Sequence, residues 1–384
     1  MFNYRSTLLS VILGAVQCVT VTFGQESQSA KLKDFRLNFL QRTELTEDVQ
    51  QVKLKDYRPV SIYKTPQSKI PKAKYPAIDL HTHDNPRTDA DVDRWVQLMD
   101  EVGIDKSVIL SYSTGAAFDA MVRKYARYPN RFEVWCGFDY TGMDQPDWSQ
   151  RAVAELVRCY QSGARGVGEL GDKGLGELYS KPTPGRGMHI NDPRMKPLLM
   201  KCGELGMPIS IHVAEDAWMY LPSDSTNDGL MNAAKWRVDM TKEGILNHDQ
   251  LITTLEEAVR DNPRTTFIAC HLANCNADLS QLARLLDAYP NLYADISARF
   301  AEFAPIPRFA KAFMEKYSDR LVYGTDMGFS REMYLTTFRI LESADEHFYE
   351  HNRFGYHWPL YGLSLSSRTL KKIYQTNARK ILRR

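Results

Sequence analysis

Between residues 77 and 325, eight short apolar runs alternate with longer amphipathic segments, and this rhythm restricts the fold more than any other feature. The runs cover 77–81, 107–110, 132–138, 166–170, 208–212, 266–271, 292–296 and 321–325. The segments between them predict helices over 92–102, 117–128, 150–162, 194–205, 249–262, 278–289 and 308–317. In the first, Val92, Trp95, Val96, Met99 and Val102 recur at helical spacing and form one apolar stripe. Several helices run into turn residues, as in Val102-Gly103-Ile104 and Tyr289-Pro290-Asn291. Strand–helix alternation implies a parallel sheet, because parallel neighbours need a crossover connection. Eight strands in one domain fit a closed (β/α)8 barrel better than an open doubly wound sheet, and such barrels need about 250 residues. No glycine-rich phosphate turn follows the first run. Gly166, Gly168, Gly171, Gly174 and Gly176 come at and after the fourth, without dinucleotide or P-loop spacing. Three long insertions, 171–191, 214–248 and 327–366, all follow a strand's C-terminal end, the catalytic face of such barrels.

The sequence before the barrel divides in two. Arg5 precedes an apolar stretch from Leu8 to Val21, and small residues lead to Gly24 and Gln25. This is the pattern of a cleaved secretory signal over 1–24, and its core is too short for a comfortable membrane span. The expectation is a secreted or periplasmic protein with no stable membrane span after cleavage. Residues 25–74 read as an N-terminal arm, with Pro59, Pro66 and Pro71 ahead of Pro76 keeping its second half extended. Such an arm can cover a barrel end or reach a second subunit, so a homo-oligomer is compatible with it. The barrel itself is expected over 75–384. Cys136, Cys159, Cys202, Cys270 and Cys275 remain after the signal, an odd number with no disulfide or Cys-x-x-Cys spacing, and read as buried thiols. A formal net charge of +2 and the lack of a basic run give no support to a nucleic-acid partner. A small-molecule substrate is the expectation.

Ionisable residues gather at the ends of the apolar runs. His81 and His83 close the first, and positions two apart on a strand share a face, so both rings can aim at one point. Glu169 lies in the fourth run, His212 ends the fifth, His271 ends the sixth, and Asp326 follows the eighth. Such groups are costly at buried strand ends unless they are paired or bind a metal. Four histidines and two acids at one end of a barrel point to a divalent ion. His347, His351 and His357 lie together in the last insertion and read as loop residues rather than a second metal site.

The motifs Ile78-Asp79-Leu80-His81-Thr82-His83, Gly166-Val167-Gly168-Glu169-Leu170-Gly171, Ile211-His212-Val213, Cys270-His271-Leu272, Tyr323-Gly324-Thr325-Asp326 and the closing Asn377-Ala378-Arg379 occur in a specific order. In this the chain resembles the amidohydrolase superfamily, in particular the branch of the aminocarboxymuconate-semialdehyde decarboxylases, from about Tyr75 to Leu382. The resemblance implies a barrel with one or two divalent ions. It makes His81, His83, His212 and Asp326 metal ligands, with Asp326 also handling protons. It makes His271 either a ligand of a second ion or a group that polarises the substrate. Glu169 would bridge two ions or order its neighbours, since no lysine occupies its place. Imidazole and carboxylate donors suit zinc first, and also manganese or iron.

Metal-activated water with Asp326 as proton acceptor makes hydrolysis of an amide, ester or lactone the leading expectation. The alternative is a metal-dependent decarboxylase of a small aromatic or muconate-like acid, which uses nearly the same ligands. Arg299 and Arg331 are candidates for gripping a substrate carboxylate or phosphate. Trp218 and Tyr220 are candidates for an aromatic wall, and Asp79 for ordering the ligands.

Overall fold

The computed structural model describes residues 47–383. The secretory segment expected over 1–24 and the first part of the arm lie outside the described residues. Those before Tyr57 belong to a separate unit and hold the short helix Glu47–Gln50 and a 3-10 turn at Leu54–Asp56. Everything below concerns the unit from Tyr57 onward.

Among the described residues eight strands run in chain order: β1 (Ala77–Thr82), β2 (Ile104–Leu110), β3 (Phe132–Trp135), β4 (Val167–Asp172), β5 (Ile209–Val213), β6 (Phe267–Ala269), β7 (Leu292–Asp295) and β8 (Leu321–Val322). Every pairing is parallel and between sequence neighbours. Regular ladders join β1–β3 and β4–β8. Two seams complete the ring. Cys136 N donates to Gly166 O at 3.0 Å and Gly168 N to Cys136 O at 2.9 Å, while Leu80 N donates to Tyr323 O at 3.0 Å. The fold is a (β/α)8 barrel. Short crossover helices separate the strands, as the alternation in the sequence requires.

Packing follows from the same pattern. The helix Asp89–Val102 starts at a Thr88 capping box, in which the Thr88 hydroxyl accepts from Asp91 N and the Asp91 carboxylate accepts from Thr88 N. It stops at Gly103, whose φ of 85° only glycine adopts without strain. Its stripe of Val92, Trp95, Val96, Met99 and Val102 is buried. A second apolar cluster unites Ile78, Leu80, Val108, Leu110, Trp135, Ile268, Tyr293 and Val322 with Ala378 and Ile381 of the final helix, Asn377–Leu382. Strands β2 and β6 share no ladder yet contribute to this one cluster, as the inside of a closed barrel requires. Asn377 Nδ2 donates to Ser318 O and Leu321 O at 2.8 and 2.7 Å and ties that helix to β8. All five cysteines from Cys136 onward are buried free thiols. No helix among the described residues is long and apolar enough to cross a membrane.

The segment 57–74 is pinned along the last insertion. Ser68 N donates to both Asp345 carboxylate oxygens, and Lys74 N to Glu342. His347 Nδ1 lies 3.1 Å from Ser61 Oγ, and His351 Nε2 lies 2.9 Å from Pro59 O. Both imidazoles therefore hold a loop in place.

Trp95 is fully buried between Phe132 and Phe329. Trp95→Ala is expected to cost about 3–5 kcal/mol of stability, from lost burial and the cavity left behind. Equilibrium urea unfolding checks this, and a loss under about 1 kcal/mol would show that the site collapses freely.

Candidate metal centre

The polar residues named above arrive at one end of the barrel because every parallel strand delivers its C-terminal residue there. His81 sits on β1 and His83 just beyond it. Glu169 lies on β4 and His212 on β5, with Gly171 in register with His212. His271 follows β6, Asp295 ends β7, and Asp326 follows β8. Asp326 N donates to His81 O at 2.8 Å, which fixes the two ends of the ring to each other. The donor atoms form two groups, His81–His83–Asp326 and Glu169–His212–His271, each with all its atoms within 4.8 Å of one another.

Each imidazole has one nitrogen engaged outside the centre. His81 Nδ1 is 2.9 Å from Asp295 Oδ2, His83 Nδ1 3.0 Å from Leu110 O, His271 Nδ1 3.0 Å from Ser297 O, and His212 Nε2 2.9 Å from Ala214 O. A carbonyl or an ionised carboxylate only accepts, so each of these nitrogens carries the proton. In the neutral ring the other nitrogen is then a lone pair, and all four face carboxylates. His83 Nε2 lies 3.0 Å from Asp326 Oδ1 and 3.4 Å from Glu169 Oε2. His212 Nδ1 is 3.0 Å and His271 Nε2 3.5 Å from Glu169 Oε1. His81 Nε2 is fully buried with no hydrogen-bond partner, 3.5 Å from Asp326 Oδ1 and 3.9 Å from Glu169 Oε2. Lone pairs against carboxylates repel unless positive charge lies between them. The orphaned His81 nitrogen and the mixed imidazole–carboxylate donor set fit a divalent metal ion.

The electrostatics agree. Burial opposes charge at Glu169, yet the surrounding imidazoles of His212, His271, His83 and His81 hold its carboxyl well below the usual range. Burial also opposes the charged form of His212, but Glu169 and Glu215 push it up to about 9. Burial, with His212, His81 and Arg299 nearby, holds His271 below its ordinary value despite Glu169. His271 is thereby kept neutral. Asp79, raised to about 7 by burial against hydrogen bonds from Thr325, binds Thr325 N and Oγ at 2.9 and 2.7 Å. It thus ties β1 to the residue before Asp326, the ordering part expected of it.

Tight backbone packing sets these positions. At Gly324 a Cβ would lie 2.7 Å from His81 Cβ, so only glycine lets β8 pass this close. Ala214, His271, Ala298 and Asp326 all adopt positive φ, between 52° and 64°. Strained residues of this kind persist where surrounding contacts over-determine them.

Sequence reasoning missed several residues of the site. Asp295 accepts from the His81 ring, from His271 N at 2.9 Å and from Ser297. An acid ending β7 was a signal that could have found it. A cavity of about 270 Å³ opens beside His212, His271 and Asp326, and Trp236, Arg299, Glu302, Met327, Met333, Arg353, Phe354 and Tyr356 also line it. Trp236, rather than Tyr220, supplies an aromatic wall. Trp218 packs behind it against Tyr356 and Trp358, and the Tyr220 hydroxyl accepts from Glu215 N.

The two candidate arginines separate. Arg299 does line the cavity, but it is buried between Asp216 Oδ1 at 3.3 Å and Glu302 Oε1 at 3.6 Å and donates to Asn274. Arg331 is a correction. It is half exposed, pairs with Glu101 at 2.6 Å and takes no part in lining the cavity. It opens the helix Arg331–Glu342, whose first turn carries its side chain outward.

A parallel barrel with an imidazole–carboxylate cluster on its C-terminal rim defines a metal-dependent enzyme class. The sequence model of the amidohydrolase family matches residues 54–384, and the chain belongs to that family. No curated protein sequence matches it. Among solved structures it is similar to 2,6-dihydroxybenzoate decarboxylase from Rhizobium, at 17% identity, 80% of this chain, 99% of that one and a TM-score of 0.50. It is similar to a dihydroxybenzoic acid decarboxylase from Polaromonas with bound manganese and the inhibitor 2-nitroresorcinol, at 16% identity, 80% and 97% coverage and a TM-score of 0.50. A candidate amidohydrolase from Staphylococcus aureus aligns at 16% identity, 80% and 99% coverage and a TM-score of 0.51. The hydrolytic expectation is corrected here, because the two of these structures that name a reaction are decarboxylases. Ligand types misled the sequence reading: the same imidazoles and carboxylates serve attack by water and cleavage of a C–C bond.

Two outcomes follow from the geometry. Asp295→Asn removes the charge that fixes the His81 tautomer and is expected to weaken metal affinity about 10–100-fold. Competition titration with a chromogenic chelator measures it, and unchanged affinity would dismiss the tautomer argument. Glu302 is raised to about 7 by burial, against the pull of Arg299 and a hydrogen bond from Tyr356. Above its ordinary value the unfolded chain releases this proton while the folded chain keeps it, so folding loses stability as pH rises toward 7. Glu302→Gln should therefore gain on wild type from pH 4.5 to 7 in denaturation midpoints, and a constant difference would contradict this.

Proposed function

We propose that the chain is a metal-dependent decarboxylase, acting on a small aromatic acid with a hydroxyl beside its carboxyl. The observation that carries the reading is one cavity lined both by His212, His271 and Asp326 and by the apolar side chains of Met327, Met333, Phe354 and Tyr356. A flat apolar ring carrying an ionised group suits such a mixed lining. The fold shared with two dihydroxybenzoate decarboxylases supports the same class.

His81, His83, His212 and Asp326 would hold the ion, with Glu169 beside them. The two neighbouring donor groups are compatible with one ion or two. Manganese is the ion of the Polaromonas structure, and the donors also suit zinc or iron. When bound, the ion supplies positive charge that draws electron density from the substrate's hydroxyl and carboxyl oxygens. The remaining steps belong to the chain. Neutral His271 presents Nε2 inward and can take the hydroxyl proton. The bond between ring carbon and carboxylate breaks, its electron pair stays on the ring, and carbon dioxide leaves. That carbon then takes one proton, passed from water through Asp326, which is partly open to the cavity, and His271 returns the hydroxyl proton to the product.

Chelator-stripped protein reloaded with manganese is expected to release carbon dioxide from 2,6-dihydroxybenzoate or 2-hydroxybenzoate, and stripped protein is not. Asp326→Asn should lower kcat about 10²–10⁴-fold, the usual worth of a positioned acid. No carbon dioxide from any ortho-hydroxy aromatic acid with loaded enzyme would overturn the proposal.

A further inference from the structure

Three of the four imidazoles turn Nε2 toward the carboxylates, whereas His212 turns Nδ1. Its Nε2 lies 2.9 Å from Ala214 O, only two residues along the chain. Glu215 Oε2, 3.7 Å from the same nitrogen, is beyond hydrogen-bond reach and is paired with Lys173. The direction of one carbonyl therefore decides which His212 nitrogen faces the centre. Ala214 sits at a φ of 62°, a conformation that a β-carbon disfavours, so neighbouring contacts must hold that carbonyl in place.

Asn274 supplies the contact. It is fully buried, and its Nδ2 donates to Val213 O at 2.9 Å and to Ala214 O at 3.2 Å. It closes a run of four residues with positive φ, His271 to Asn274, a left-handed turn that leaves β6 and packs against β5. An amide can face either way, and only one way donates to the carbonyls. Arg299 settles which. Its Nε donates to Asn274 Oδ1 at 3.0 Å, and its Nη2 donates to the same oxygen. A guanidinium only donates, so the amide oxygen faces Arg299 and the amide nitrogen faces Ala214. Arg299 is held in turn between the buried carboxylates of Asp216 and Glu302.

We infer that Asn274 and Arg299 are positioning residues of the metal centre, which act through the Ala214 carbonyl to keep the His212 Nε2–H outward and leave Nδ1 as the ligand atom. This assigns Arg299 to the geometry of the ligands and not to the grip on the substrate. The inference rests on the metal centre of the proposed function, but not on the reaction carried out there.

The test reads zinc-loaded protein by NMR of isotope-labelled histidine nitrogens, and zinc affinity by chelator competition. Wild type is expected to show His212, assigned by its loss in His212→Gln, protonated on Nε2 and bonded to zinc through Nδ1. Asn274→Gly keeps the left-handed backbone and removes only the amide. It should weaken zinc binding about 10–100-fold and lose the exchange-protected Nε2–H signal. Asn274→Asp sets an acceptor against the Ala214 carbonyl and should lose more. Arg299→Lys keeps the charge between the two acids but not both donations, and should show an intermediate loss. Arg331→Met, at the exposed surface, should match wild type. Zinc bound through His212 Nε2, wild type that takes up no zinc, or Asn274→Gly with wild-type affinity and an unchanged Nε2–H signal overturns the inference. Turnover separates it from the reaction. Carbon dioxide from 2-hydroxybenzoate with both readouts unchanged in Asn274→Gly removes the positioning role and leaves the decarboxylase. Both readouts lost in Asn274→Gly, without carbon dioxide from any hydroxybenzoate, supports the positioning role and removes the decarboxylase.

Discussion

The outward hydrogen bonds of four imidazoles govern the chemistry of this barrel's rim. Asp295 and the carbonyls of Leu110, Ser297 and Ala214 each take one ring N–H, and the remaining nitrogens must point their lone pairs at Glu169 and Asp326. No arrangement of neutral groups makes that inward geometry favourable. Protons can relieve part of it, which is why His81, His83 and His212 are all drawn above their ordinary values. They do not relieve His81 Nε2, which makes no hydrogen bond. Divalent positive charge, from one ion or two, answers these lone pairs where protons do not.

The fold exists in the form that makes this possible. Parallel strands bring their C-terminal ends to one rim, the seams close the ring, and Asp79 and the Asp326 backbone tie its first strand to its last. Gly324 allows the close approach of β8 to His81. The long insertions then supply what the strands cannot, with Trp236 from one and Arg353, Phe354 and Tyr356 from another. The strands thus place the imidazole–carboxylate cluster, and the loops the cavity wall beside it.

Much of this was legible in the sequence. All eight strands fall within a few residues of the apolar runs, because short buried segments bounded by turn residues leave the backbone little choice. The meeting of His81, His83, His212 and Asp326 at one rim was legible because each ends or closely follows a run. What the sequence hid was long-range pairing. Arg331 and Arg353 look alike as letters, and only the helix start at Arg331 and the loop path to Arg353 separate a surface ion pair from a cavity wall. Asp295 was hidden because its partners lie 24 and 214 positions away. The reaction was misread because one donor set serves two chemistries, and the shape of the cavity beside it depends on loops whose course no periodicity encodes.

The central claim is that positive charge sits where the four lone pairs meet the two carboxylates. X-ray data collected on either side of a manganese or zinc absorption edge, from crystals of protein purified without chelator, test it most directly. The account predicts an anomalous peak bonded to His81 Nε2, His83 Nε2 and an Asp326 oxygen. A fully ordered site with no such peak, its imidazoles paired to Glu169 and Asp326 through protons alone, would contradict it.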